Sequence, residues 1–437
     1  MNKALLTVIF LTAFNSLLQA ADLIDVYQQA LQQDPRVGIA EFNVAIGEER
    51  ESQVVADLLP QLNITSSIST NRQDFEGDVI GSSRNSFKGE RHSAVLSQSL
   101  FDLPRFYNWE RQQKITAQAQ HDQLDTQKKI ILDVIESYFN VLLAQDDLTV
   151  AEDEKKTTKG ILDQIERLYD KKMVKVTDLM NARVRYDMAV VSYFEAKTEL
   201  VAAREKITEL TGSDVGALSA LKKGIEFKKI VRENEEWLEL LSANNPSLLA
   251  KRDAISAEGS GVKQHLSGHL PVIDFQLMVQ RTDLGFNNSS ARLTNITSAS
   301  VNVNMPLFTG GKASALHAEA VHRLESSKLD YEAAFRKLRR ELVGVLTKVN
   351  LSVEKIRAGK IAVVSAEKNF MAMKKGFKYG VVDSTDLFEA QHFLSKANRD
   401  LYYSKYDFIG NKSKLLYLSG LINRQEIELI NQWLEPR

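Results

Sequence analysis

The chain has no cysteine among its 437 residues. Disulfides, cysteine-held zinc, a thiol nucleophile and an acyl anchor on an N-terminal cysteine are therefore excluded. Proline (7) and glycine (21) are scarce, which favours long uninterrupted elements. Neither sign of charge dominates: Lys plus Arg is 56 and Asp plus Glu is 57. That balance gives no electrostatic case for nucleic acid. At 43% hydrophobic and 26% charged, the chain is neither disordered nor a multi-helix membrane protein by composition. Beyond residues 1–20 no apolar run reaches the ~20 residues that a spanning helix needs. A mature chain that touches a membrane must therefore use something other than hydrophobic helices.

What is present begins with the layout of a secretory signal in residues 1–20. Lys3 supplies the positive region, Ala4–Phe14 the apolar run and Ala20 a small residue before the cut, although Leu18 is not small. Leu23–Leu58 reads as helix interrupted at Asp34-Pro35, since proline disfavours helix for the residue before it. After Leu59-Pro60, Leu62, Ile64 and Ile68 alternate with Asn63, Thr65, Ser67 and Ser69, which predicts a strand with one apolar face. Asn71–Arg91 is expected as a loop and Ser93–Leu100 as a second strand.

Phe101-Asp102-Leu103-Pro104 then opens a helix that meets no further proline before about Tyr169. Ile130, Ile131, Val134, Ile135, Tyr138, Val141 and Leu142 recur at helical spacing within it. At 1.5 Å per residue such a helix is roughly 100 Å long, which calls for coiled-coil packing. Thr177–Thr211 returns as helix to Gly212.

The order then repeats. Asn245-Pro246 answers Asp34-Pro35, and Leu270-Pro271 answers Leu59-Pro60 at the same interval. Ile273, Phe275, Leu277 and Val279 alternate with polar residues, and so do Val301, Val303 and Met305. Arg281–Thr297 between them reads as a polar loop, Gly311–Phe377 as a second ~100 Å helix and Ser384–Ser419 as its return. Leu168–Ala182 and Gly376–Ala390, the two helix-to-helix turns, share Thr-Asp-Leu (177–179 and 385–387). The predicted organisation is thus a signal peptide (1–20), a first repeat (21–212), a linking region (213–234) and a second repeat (235–437). Each repeat is helix, two strands, very long helix, turn and helix. The fold class is mixed but mainly α.

Four strands with one apolar face suit either of two arrangements. They could contribute to a β-barrel with lipid outside and water within, or form a small soluble sandwich packed inward. Four strands cannot close around a channel, whereas a trimer would supply twelve.

Certain segments resemble a known family. Leu96–Asp102 and Val301–Gly311 look like the strand-to-helix junctions of the TolC family of outer-membrane efflux proteins. Ser137–Leu142, Ser267–Pro271 and Tyr379-Gly380 also match, in order, across both repeats. The resemblance implies a homotrimeric channel-tunnel, with a twelve-stranded outer-membrane β-barrel and a periplasmic α-barrel of long coiled-coil helices. It implies docking to an inner-membrane pump (RND, ABC or MFS type) through a periplasmic adaptor, export of drugs or type I secreted proteins, and no covalent chemistry or cofactor.

It also implies residue roles. Asp386 and Glu389, three apart on one helical face, would crowd the narrowest point of the tunnel, with Thr177, Asp178 and Phe377 beside them. The bland alternative is that Asp386 only caps its helix. The adaptor would meet the turns at Lys171, Lys172 and Met173 and at Tyr379, Gly380 and Val381. Val382 stands where members can carry a basic lock, for which Lys175 and Lys378 are the candidate substitutes. Ile273, Phe275, Leu277, Val301 and Val303 would face outer-membrane lipid, and Phe75, Phe87 and Phe286 its interfaces.

Two rivals remain. A periplasmic scaffold or adaptor without a pore has no use for four alternating strands. An exported enzyme needs a convergent polar site, yet His265 and His269 lack a metal-binding frame and Gly310-Gly311-Lys312 lacks the earlier glycine of a phosphate loop.

Overall fold

The computed structural model describes residues 20–75, 83–283 and 293–436. The expected signal segment (residues 1–19) and Phe286 lie outside the described residues, and of Phe75 only the backbone is described. In chain order the helices are α1 (Leu23–Gln33), α2 (Pro35–Ala56), α3 (Leu103–Asp170), α4 (Val176–Thr211), α5 (Asn234–Asn244), α6 (Pro246–Leu266), α7 (Lys312–Lys378), α8 (Ser384–Leu418) and α9 (Arg424–Asn431). The strands are β1 (Gln61–Phe75), β2 (Ser83–Phe101), β3 (Ala220–Leu221), β4 (Val272–Asp283), β5 (Leu293–Asn304) and β6 (Leu434–Glu435).

α3 runs for 68 residues and α7 for 67, close to the expected bounds. The start of α3 has a local cause: the Asp102 carboxylate accepts from Arg105 N at 3.0 Å, satisfying a donor that helix geometry leaves orphaned. No described helix is apolar enough over its length to cross a membrane.

One compact unit comprises the residues up to 40 together with 123–247 and 334 onwards. Its core contains the predicted stripe of α3, from Ile130 to Leu142, with Leu23, Val26 and Ala30 of α1, Ile207 and Leu210 of α4 and Leu415 and Leu418 of α8. Tyr138 is fully buried and its hydroxyl donates to the Ser219 carbonyl at 2.8 Å. That bond holds the linking segment, which also pairs with the C-terminal end through β3 and β6. The sequence reading did not find β3, β6 or α9, because elements of two to eight residues carry too few periods to register.

The second unit comprises residues 41–122 and 248–333. Its helices approach closely at small residues. The Thr116 hydroxyl donates to the Gly47 carbonyl at 3.0 Å, where a Cβ on Gly47 would press on Thr116. Polar pairs tie α3 to α6: Arg111 to Glu258 at 2.9 Å and His121 to Asp253 at 2.7 Å.

The strands of this unit form one antiparallel sheet in the order β1-β2-β4-β5. They run well past the bounds expected from sequence. Segments predicted as loop, 71–75 and 83–91 in the first hairpin and 281–283 and 293–297 in the second, are paired strand instead. The reason is that a ladder needs only backbone pairing, whereas the expectation relied on apolar alternation. Beyond the apolar stretch the cross-strand pairs are polar, as in Asp74 opposite Arg84, whose Nε lies 2.8 Å from the carboxylate.

Candidate functional site

Residues directly opposite one another in a ladder share a face, so the register assigns every side chain of the sheet to one side. One face carries Ile273 opposite Val303, Phe275 opposite Val301, Leu277 opposite Leu96 and Ala299, and Val279 opposite Ala94. Leu62 and Ile64 of β1 continue the last two rows. These four rows make an apolar band ~20 Å along the strand, comparable to the ~25 Å band of outer-membrane barrels. Val301 and Val303 are apolar yet 59% and 65% exposed. The opposite face carries Gln61, Ser97, Gln276 and Ser300 in one row and Ser99, Asp274 and Asn302 in the next.

β1 and β5 are the two edges, and among the described residues the outer side of each has no partner strand in the protomer. With an even number of antiparallel strands, β5 of one copy runs opposite to β1 of the next. Head-to-tail repetition therefore extends the same ladder until it closes.

The turns between long helices are built alike. In the first, Met173 N donates to Leu168 O at 2.9 Å and Lys172 takes φ +60°. In the second, Val381 N donates to Gly376 O at 2.9 Å and Gly380 takes φ +74°. Both are left-handed helix ends that satisfy late carbonyls. Glycine accepts that backbone freely, whereas lysine is strained there. Met173, Tyr379 and Val381 are exposed at the tips, as are Lys171 and Lys172.

A single apolar cluster holds the two turns together. It joins Ile161, Leu162 and Ile165 of α3, Leu179 and Ala182 of α4, Phe370 of α7, and Leu387, Phe388 and Ala390 of α8. Phe377, expected at the constriction, packs against this cluster and is half-buried. Val382 folds over Gly376, where any Cβ would strike it.

The acidic residues differ in what engages them. Asp178 sits three residues into the α4 start, and its carboxylate accepts from Lys175 N at 3.2 Å. Asp386 occupies the matching place in α8, but there Asp383 is the cap, accepting from Asp386 N at 2.9 Å. Asp386 is therefore not the cap of its own helix. Asp386 and Glu389 are both exposed and share one helix face, since the core-facing residues Leu387, Phe388 and Ala390 lie on the other. Thr177 is exposed near the start of α4.

Sequence reasoning missed a polar lock between α3, α4 and α8. Arg399 Nε lies 2.7 Å from Asp147 in an ion pair misaligned for a hydrogen bond. Its Nη2 donates to Glu154 at 3.2 Å and to the Ser192 hydroxyl at 3.4 Å, and His392 lies 3.7 Å from Glu154. A signal existed. Asp147 and Glu154 are one heptad apart, as are His392 and Arg399, which places both pairs on seams of a coiled coil.

The comparisons with known proteins agree with this geometry. The model of the outer membrane efflux protein family matches residues 26–213 and 237–420. Outer membrane protein TolC of Vibrio cholerae serotype O1 is 27% identical over 97% of this chain and 96% of its own. Alkaline protease secretion protein AprF of Pseudomonas aeruginosa is 27% identical over 94% of this chain and 87% of its own. Among solved structures, CusC superposes with a TM-score of 0.80 at 19% identity, covering 93% of this chain and 95% of that one.

Proposed function

The chain belongs to the outer membrane efflux protein family and is an outer-membrane efflux channel with a periplasmic tunnel, and from that premise we propose how its residues carry the function. Its mainly helical protomer contributes four strands, and the barrel closes only in a trimer. TolC-like proteins act with adaptor and pump partners. We read residues 21–212 and 235–437 as two copies of one unit joined by 213–234.

In this reading Asp386 and Glu389 of three protomers line the narrowest part of the tunnel. The observation that carries it is the contrast at matched positions: Asp178 is bound to its own helix start, while Asp383 relieves Asp386 of that task. Six carboxylates brought together repel one another and attract cations. Thr177 and Asp178 stand beside them, and Phe377 supports the turn from beneath. The exposed tips, Lys171, Lys172 and Met173 with Tyr379, Gly380 and Val381, dock the adaptor of an RND, ABC or MFS pump. Ile273, Phe275, Leu277, Val301 and Val303 meet lipid. A relative named for protease secretion supports secreted protein as one cargo class, beside drugs.

Single-channel recording tests the acid ring. The wild-type trimer should prefer cations and be blocked by trivalent metal ions added on the periplasmic side. The double variant Asp386→Ala, Glu389→Ala should assemble, lose most of the block and select cations less. An unaltered block and selectivity would reject the ring.

A further inference from the structure

Immediately beyond the apolar band, on the same face of the sheet, the ladder sets four polar side chains in one row. Ser66 stands opposite His92, His92 opposite Arg281, and Arg281 opposite Asn295. All four are exposed, and the Ser66 hydroxyl lies 2.8 Å from His92 Nδ1. Strand spacing makes the row ~15 Å wide. It offers a guanidinium fork, a hydroxyl, an imidazole and a carboxamide, which together donate hydrogen bonds to a phosphate. Among the described residues Arg281 forms no ion pair, while the Glu90 carboxylate lies 3.8 Å from His92 Nε2. One row farther out, Glu90 stands opposite Asp283. Within the Arg281 row the guanidinium is the group that draws a phosphate.

We propose that Ser66, His92, Arg281 and Asn295 bind the phosphate of an anionic lipid whose acyl chains lie on Val279, Leu277 and Phe275. The inference rests on the reading that this face meets lipid. A free phosphate would use the charge alone, whereas a lipid uses the charge and the adjoining apolar rows together. The leaflet follows from connectivity. The ends of the strands at Gln61, Phe101, Val272 and Asn304 lead into helices, and the tunnel is periplasmic. The hairpin ends at residues 75 and 283 therefore point outward, and the Arg281 row lies in the outer leaflet. The lipid is then the phosphorylated glycolipid of that leaflet. The opposite face at this height carries Ser67, Arg91, Thr282 and Thr294, which in the same reading meet water and hold no acyl chain.

The test uses purified trimer and native mass spectrometry with lipid A bisphosphate as the probe. The double variant Arg281→Gln, His92→Gln should bind it at least tenfold more weakly. Arg91→Gln, a change of charge on the other face, should bind within twofold of wild type. Dephosphorylated lipid A should bind as weakly to wild type as the bisphosphate does to the double variant. Neither phosphatidylglycerol nor inorganic phosphate should displace the bisphosphate. Unchanged binding in the double variant, or equal displacement by phosphatidylglycerol, would overturn the proposal. Should the double variant not assemble, Arg281→Lys keeps the charge and loses the fork. It must still weaken binding several-fold, and unchanged affinity there overturns the proposal too. A fluorophore on Val303→Cys, challenged with brominated lipid, separates the two readings. Absence of quenching sinks the lipid-facing assignment itself, while quenching with unchanged lipid A binding sinks only the phosphate site.

Discussion

The two halves of the chain place the same backbone at matched positions and equip it with different residues. Lys172 and Gly380 share a left-handed turn, Asp178 and Asp386 share a place near a helix start, and Gly212 and Gly420 share a left-handed helix end with φ of +70° and +72°. Asp34 and Asn245 both close a short helix just before a proline, and both are buried. Yet Asp34 accepts from Arg36, which reaches on to Asp133 at 2.7 Å, while Asn245 donates its amide to the Leu418 carbonyl at 2.9 Å. The lesson is that geometry is common to the halves and electrostatics is not. Matched residues can therefore be exchanged to ask which half depends on which.

The largest effect is expected at the helix ends. A Cβ on Gly420 would run into the backbone carbonyl of Asn244, whereas one on Gly212 would meet Gln33 Cβ at an ordinary 3.5 Å. Gly212→Ala should cost the left-handed penalty alone, about 1–2 kcal/mol. Gly420→Ala should add an overlap of about 1–3 kcal/mol, because backbone cannot rotate away. Thermal unfolding of the trimer reads the difference, and equal losses would break the contrast.

Next comes the hairpin of the second half, whose faces differ in the same controlled way. Val303→Arg should impair membrane assembly by ~2–4 kcal/mol if the residue lies near the bilayer midplane, and Asn302→Arg should do less. The yield of heat-modifiable trimer in the outer membrane measures both. Equal effects would remove the face assignment.

A third contrast concerns acid. Burial alone would raise the Asp34 carboxyl, but the hydrogen bonds and charge of Arg36 outweigh it and hold the carboxyl below the usual carboxylate range. A carboxyl depressed in the folded state contributes stability above its unfolded pKa of about 3.9, and that contribution is lost as pH falls through the folded value. Asp34→Asn should therefore remove stability at neutral pH, about 1.5–3 kcal/mol, and flatten the loss below about pH 4. Asn245→Asp should also lose stability at neutral pH, but with the opposite pH dependence. A carboxylate facing the Leu418 carbonyl costs most when ionised, so stability should recover on acidification. Urea unfolding across pH decides between these outcomes.

The smallest effects lie at the turns. Lys172→Gly should stabilise the protein by about 1 kcal/mol by relieving the left-handed lysine, and Gly380→Lys should cost a similar amount. Asp178→Ala should lower stability by a few tenths of a kcal/mol, through the lost helix-start contact, and shift ion selectivity less than the change at Asp386 does. Asp386→Ala should shift selectivity with little change in stability. Melting curves and bilayer recordings on the same preparations test the pair.

Much of this was legible in the sequence. Helix lengths followed from the scarcity of proline and glycine, and the buried stripe of α3 from its spacing. The duplicated order followed from matched proline and glycine positions, and the apolar sheet face from strict alternation. The outer parts of the strands were not legible, because Asp74 and Arg84 look like loop residues until a ladder pairs them. The role of Asp383 was not legible either, since four acidic or hydroxyl residues at 383–386 are equally plausible caps in one dimension. The Arg399 lock depends on the register between helices that are far apart in sequence.

The sequence by itself thus determined the long helices, their turns and the apolar segments of the strands, because propensity, periodicity and turn chemistry act over a few residues. Only the tertiary structure decided which polar residues fall into one row beyond the apolar band, and which helices the Arg399 lock joins. It also decided where a glycine is irreplaceable. Those outcomes depend on register and on ångström-scale approach between distant segments, and no local pattern specifies either.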